Sequence, residues 1–309
     1  MRRVRKFAIA SMLAALCLMP AAIVAAGGDP ASLQEQDPPP GFRIDRDNWE
    51  TPVEPGRSIH IENPHGDVRA RLNEIPRLDV FAVIQLQDHD PLRADVQIIE
   101  TPEGVKVDVR YVAKETGGQE GERGATSAEA GRQAEIAGGQ AQEAEEHESE
   151  DDFIRRVDLV VYVPAGSALN VRTADGTIEA RRIKSDVVAE TTGGEVTVIT
   201  EGSARAKTTS GSILVVLLND NRNNSSRFET ETGPITLQVP DDLNVLIRAR
   251  TSGQITSEYP LEASPPAGVS PEDTVVLVGA GTHDVRLESK DGKVEILAWK
   301  RDRSDGESQ

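Results

Sequence analysis

A chain of 309 residues with 34 basic and 52 acidic side chains carries a formal net charge of −18, and only 3% of it is aromatic. That sign repels nucleic-acid phosphates and anionic lipid headgroups, so neither is an expected partner, and the scarcity of rings requires a narrow, aliphatic interior. The single cysteine, Cys17, excludes a disulfide framework and cysteine-ligated zinc.

Residues 1–26 read as a signal peptide. Arg2, Arg3, Arg5 and Lys6 precede an apolar stretch from Phe7 to Met19, and Val24-Ala25-Ala26 is an acceptable cleavage site. Pro20 interrupts an apolar run already short for a bilayer, so no membrane span is expected in the mature chain. Cys17 follows Leu16 rather than a small residue, which argues against lipidation and leaves the mature protein thiol-free. Removing the leader leaves 30 basic residues against the same 52 acidic ones, a net charge of −22. The expected destination is the periplasm or the cell surface.

Residues 27–48 form a Pro-rich, polar linker, and one folded domain is expected over residues 49–299, with a polar tail at 300–309. In the first part of the domain, Leu78 to Leu86, Val96 to Glu100, Val105 to Val112 and Val157 to Val163 are strand-like, and Thr101-Pro102-Glu103-Gly104 is a turn. Residues 114–152 interrupt this region with twelve acidic and three basic residues among Gly, Ala and Gln. Such a stretch buries too little apolar surface to offset its ordering entropy, so a disordered acidic insert is expected.

From Val171 to Leu297 one phrase recurs: Thr or Ser, two residues, glycine, one residue, then Ile or Val. It occurs at Thr173-Ala174-Asp175-Gly176-Thr177-Ile178, at Thr191, Gly194 and Val196, at Thr208, Gly211 and Ile213, at Thr230, Gly233 and Ile235, and at Ser289, Gly292 and Val294. Arg250-Thr251-Ser252-Gly253-Gln254-Ile255 is a variant, and Asn63-Pro64-His65-Gly66-Asp67-Val68 is an early copy. Each unit has room for two short strands and two turns, and β-branched residues dominate the flanks. The repeat glycines are then corners at which the chain bends with φ > 0. A meander of hairpins and a solenoid both accommodate this pattern. Recurrence of one residue type at one offset on both sides of the glycine favours the solenoid, where translation by a rung stacks like on like. Thr173, Thr191, Thr208 and Thr230 would form a polar column, and Ile178, Val196, Ile213, Ile235 and Ile255 an inward apolar one.

Catalytic and cofactor signals are weak. Asp175, Glu195 and Asp291 fall near the corners and could line one edge, which keeps a carbohydrate-active β-helix enzyme, a polysaccharide lyase or hydrolase, open as the alternative. One carboxylate per corner is also what an acidic protein shows without any activity. His60, His65, His89, His147 and His283 have no metal-ligand spacing, and no Gly-x-Ser-x-Gly elbow is present. Gly279-Ala280-Gly281 is followed by a strand-like segment rather than a helix, so a turn is the expected reading and not a dinucleotide fingerprint. No cofactor, metal or catalytic residue is assigned. Trp49 and Trp299 are candidate caps for the two ends of the stack.

The run Ile59 to Val68, the strand Val157 to Val163 ending in Pro164-Ala165-Gly166, the repeated phrase, and the closing Gly279-Ala280-Gly281 with Val285, Leu287, Ser289, Gly292 and Val294 resemble the bacterial "putative adhesin" β-strand-repeat family. The resemblance covers residues 49–299 apart from the acidic insert. It implies a right-handed parallel β-helix-like fold and an exported, non-catalytic envelope protein whose partner is an envelope polymer or protein. The insert departs from the family's pattern and leaves open the path between the first coil and the others.

Overall fold

The computed structural model describes residues 40–114, 153–219, 225–262 and 268–300. The leader, most of the linker, the acidic insert and the polar tail beyond Lys300 lie outside them. The described residues form twenty strands and no helix. The first seven are β1 (Phe42–Pro52), β2 (Ser58–His65), β3 (Val68–Asn73), β4 (Arg77–Gln87), β5 (Leu92–Glu100), β6 (Gly104–Ala113) and β7 (Arg155–Pro164). The repeat region supplies β8 (Leu169–Asp175), β9 (Ile178–Ile183), β10 (Val187–Gly193), β11 (Val196–Thr200), β12 (Ala204–Thr208), β13 (Ile213–Leu217), β14 (Ser226–Thr230) and β15 (Ile235–Val239). The last five are β16 (Val245–Arg250), β17 (Ile255–Ser257), β18 (Thr274–Val278), β19 (His283–Ser289) and β20 (Val294–Ala298). Residues 42–48, read from sequence as the end of the linker, are the first part of β1; their charged side chains dilute the strand pattern because β1 is an edge strand.

From β8 to β17 the chain alternates between two ten-stranded sheets. Sheet A has the order β1-β4-β7-β3-β9-β11-β13-β15-β20-β17, and sheet B the order β18-β16-β19-β14-β12-β10-β8-β2-β6-β5. Pairing is parallel through the whole centre of both sheets, for example β8 with β10 and β11 with β13. Antiparallel pairs occur only towards the ends, at β1 with β4, β4 with β7, β5 with β6 and β16 with β18. The architecture is therefore a parallel two-sheet β-solenoid and not a meander. One coil consists of a sheet B strand, a glycine corner and a sheet A strand.

Alternation along each strand sends every second side chain inward, and the inward residues of both sheets form one continuous core. In sheet A, Val68, Ile178, Val196, Ile213, Ile235, Val294 and Ile255 stand in register on successive rungs. In sheet B the one large ring of the repeat core, Phe228, is fully buried with Ala206 and Leu287 as its register neighbours. A small residue beside a large one keeps the narrow interior filled.

Two features of coil order were not expected. The first phrase of the chain lies inside the stack, because β2 pairs in parallel with both β6 and β8, and β3 with both β7 and β9. The last one does too: β19 lies between β14 and β16, and β20 between β15 and β17. The early coil thus continues directly into the repeats, and β6 and β7 form a further coil on its outer side. In that coil the acidic insert replaces the short glycine corner. Its two ends are joined by Asp90, fully buried and in a bidentate pair with Arg155 at 2.7 and 3.1 Å, and by Lys114, whose Nζ donates to the Asp90 carbonyl.

Candidate functional site

The recurring phrase is first of all a corner joint. The Oγ1 of Thr173 donates to the carbonyl of Gly66 at 3.4 Å, that of Thr191 to Gly176 at 3.2 Å, that of Thr208 to Gly194 at 3.2 Å and that of Thr230 to Gly211 at 3.3 Å. Ser289 bonds the carbonyl of Gly233 at 3.0 Å, and Thr251 that of Gly292 at 2.7 Å. Each buried hydroxyl satisfies the corner carbonyl of the neighbouring rung. Asn63 fills the same place in the first phrase, its Nδ2 donating to the carbonyls of Gly66 and Val157.

The glycines are required by that contact more than by backbone conformation. Gly66 and Gly176 have φ of 126° and 152°, but Gly233, Gly253 and Gly292 are outside the left-handed region, so the expectation of φ > 0 at every corner fails there. In those three the glycine N–H turns back onto the hydroxyl of its own phrase. In Gly66, Gly176 and Gly194 it reaches the next rung instead. What nearly all share is crowding. A Cβ on Gly176, Gly194, Gly211, Gly233 or Gly292 would lie between 1.6 and 2.1 Å from the carbonyl oxygen of the glycine stacked against it. Gly253, on the last rung, is looser at 2.7 Å from the Gly292 carbonyl.

The outer face of sheet B carries the polar surface with a regular pattern. Parallel register places Asp108, Glu62, Arg172, Glu190, Lys207, Glu229, Glu288 and Arg250 in one row across the rungs. Within the row Glu190 pairs with Arg172 at 3.0 Å, and Glu62 pairs with Lys106, which lies diagonally across on β6, at 2.6 Å. Hydrogen bonding to Lys106 holds the Glu62 carboxyl below its ordinary range, against the opposing effect of burial. Over the part of the row from β6 to β12 lies a shallow groove of about 690 Å³, lined by Glu62, Asn63, Asp108, Arg172, Glu190 and Lys207 among others. It crosses five rungs, a length of about 19 Å at the usual strand spacing.

Near the end of β6 Tyr111, packed against the core and 6.2 Å from the His65 ring, has a hydroxyl that is buried and makes no hydrogen bond. Burial pushes its phenol up to about 12. An unfolded chain ionises near pH 10, so the stability linked to this group is fully present below about pH 10 and is lost as pH rises towards 12. Tyr111→Phe is expected to flatten the fall in melting temperature over that interval and to leave the neutral-pH melt unchanged or slightly raised. An unaltered alkaline profile would show that the phenol is not buried.

Of the carboxylates singled out from sequence, Asp175 and Asp291 do not converge. Asp175 lies in register with His65 and Gly193 at the end of β8, whereas Asp291 follows β19, four rungs further along sheet B. Four rungs are about 19 Å, twice the widest separation used by paired glycosidase carboxylates. Glu195 stands across the corner on the sheet A side, where its carbonyl accepts the Ile178 N–H at 2.9 Å. His60, His65, His89 and His283 belong to no group of three or more metal-ligating side chains among the described residues, and His147 lies outside them. Gly279 and Gly281, with φ of 59° and 63°, form the turn between β18 and β19. Trp49 is buried in β1, while Trp299 only lines a second shallow depression with Leu218 and Glu201. No described helix is long and apolar enough to cross a membrane.

Fold and surface together define a flat two-sheet β-solenoid with an open, charge-patterned face. No protein-family profile matches the chain, and no curated protein matches it. Among solved structures, a "putative cell adhesion protein" from Clostridium sporogenes ATCC 15579 is similar at 10% identity and a TM-score of 0.43, over 82% of this chain and 100% of that one. A "putative adhesin" from Bacteroides fragilis NCTC 9343 is similar at 9% identity and a TM-score of 0.23, over 82% of this chain and 97% of that one.

Proposed function

We propose that the protein is a non-catalytic, exported scaffold of the cell envelope, adhesin-like in role, which holds a surface polymer or a protein partner on the outer face of sheet B. The observation that carries this reading is the groove itself. It is open and long, and it is lined by ion-paired charges repeated rung after rung, which suits an extended partner touching many rungs at once. The leader-like N-terminus supports export. The four rungs between Asp175 and Asp291 are too many for these two to act as the carboxylate pair of a glycoside hydrolase, which supports the non-catalytic reading.

The test exposes the purified mature chain to a panel of cell-wall and plant polysaccharides and to envelope extracts, scoring both retention and new reducing or unsaturated ends. Retention without cleavage is the expected result. Cleavage that disappears in Asp175→Asn or Glu195→Gln would establish the enzyme instead.

A further inference from the structure

A second row of sheet B carries charge of one sign over four consecutive rungs. Register places Arg205, Arg227, Arg286 and Arg248 directly beside one another on the consecutive rungs β12, β14, β19 and β16. Like charges in adjacent cross-strand positions repel, so such a row is unfavourable unless anions lie against it. Three of the four have protein carboxylates. Arg227 lies 3.0 Å from Glu288, Arg286 lies 3.6 Å from the same residue, and Arg248 grips Asp284, with Nε at 2.7 Å. Arg205 has none: its side chain and that of Lys207, both exposed on β12, make no ion pair or hydrogen bond among the described residues. Lys207 also lines the end of the groove, so the free cations stand where the groove meets the arginine row.

We propose that groove and arginine row form one continuous track for a linear polysaccharide bearing a carboxylate on each sugar, with Arg205 and Lys207 as its unoccupied charge contacts. The inference rests on the scaffold reading above and names its ligand class. The track covers eight rungs from β6 to β16, about 34 Å at the usual strand spacing. An extended glycan advances by roughly one rung per sugar, so over the four rungs from β12 to β16 a carboxylate on each ring keeps step with an arginine on each rung. The planar arginine fork matches a carboxylate in two parallel hydrogen bonds, and the interleaved Glu229 and Glu288 can accept from sugar hydroxyls. Nucleic acid fits poorly. Its charges fall about every 1.7 Å along a duplex, far denser than the row. The chain's negative total does not prevent binding, because salt confines each charge to about 8 Å and twelve of the 52 acidic residues lie in residues 114–152.

The experiment measures binding of the full mature chain to polygalacturonate, to the same polymer fully methyl-esterified, and to polyphosphate. Polygalacturonate should bind, and more weakly as salt rises; the uncharged ester and polyphosphate should bind at least tenfold more weakly. Arg205→Ala with Lys207→Ala should cost roughly tenfold or more, since hydrogen bonds to charged groups are the strong ones, while Lys184→Ala, an exposed cation on the far turn, should not change the affinity. Equal binding of the ester, tighter binding of polyphosphate, or an unaffected double variant would each overturn the proposal. Binding confined to a neutral polymer or a protein overturns the ligand class while leaving the scaffold reading intact; retention of nothing in the envelope panel sinks both.

Discussion

Gly194→Ala is expected to lower stability by about 3 kcal/mol or more, and Gly193→Ala, one residue earlier, to leave it almost unchanged. The added Cβ at Gly194 would sit 2.1 Å from the carbonyl oxygen of Gly176. That oxygen already accepts from the Thr191 hydroxyl at 3.2 Å, so moving it away from the new Cβ also breaks the corner bond. At Gly193 the closest atoms are the Asp175 carboxylate at 3.6 Å and the Ser210 hydroxyl at 4.0 Å, ordinary contacts, and the backbone there is not left-handed. Glycine to alanine at an unstrained position normally stabilises slightly by restricting the unfolded chain, so the two neighbours differ in sign as well as size. For a domain of this length the Gly194 variant should melt roughly 6–12 °C below the parent. Matching melts for the two variants would show that the corners do not stack as described.

The larger effect is expected from a stop codon before His283. The final coil is not an end piece: β19 and β20 occupy interior positions in both sheets. Deleting them withdraws Val285, Leu287, Val294 and Ile296, none more than 1% exposed, and uncovers the buried residues of β14 to β16 that pack beside them. Four such side chains represent about 6–12 kcal/mol of burial, as much as the net stability of a typical domain. The truncated chain should lose its cooperative melt and exchange amide protons rapidly across β14–β18. Removing only residues 301–309 should do neither. A truncated protein that melts within a few degrees of the parent would contradict the interleaved order.

The repeated phrase carries most of the fold because it states its own contacts. The threonine, the glycine and the apolar residue each meet their counterparts on the next rung, and every strand from β8 to β15 follows from that. The order of the last coils does not follow. The phrases ending at Gly253 and Gly292 are equally suited to stack on Thr230, and the choice is made by the antiparallel β18, which occupies the far side of β16. Loop-closure entropy grows too slowly with length to penalise the longer connection. The arginine row was hidden for a similar reason. Arg205, Arg227, Arg248 and Arg286 are scattered along the chain as ordinary surface residues, and only the register makes them neighbours. Asp175 and Asp291 show the reverse: equivalent places in the phrase, kept apart by the number of rungs between them.

Interior placement of the closing strands also bears on how the protein matures. A polypeptide that emerges N-terminus first has a vacant slot between β14–β15 and β16–β17 until its final strands arrive. A molecule cut short before His283 must either leave that apolar surface and backbone unpaired or stack β16 on β14 out of native order. The native order is therefore set only once β19 and β20 have been made.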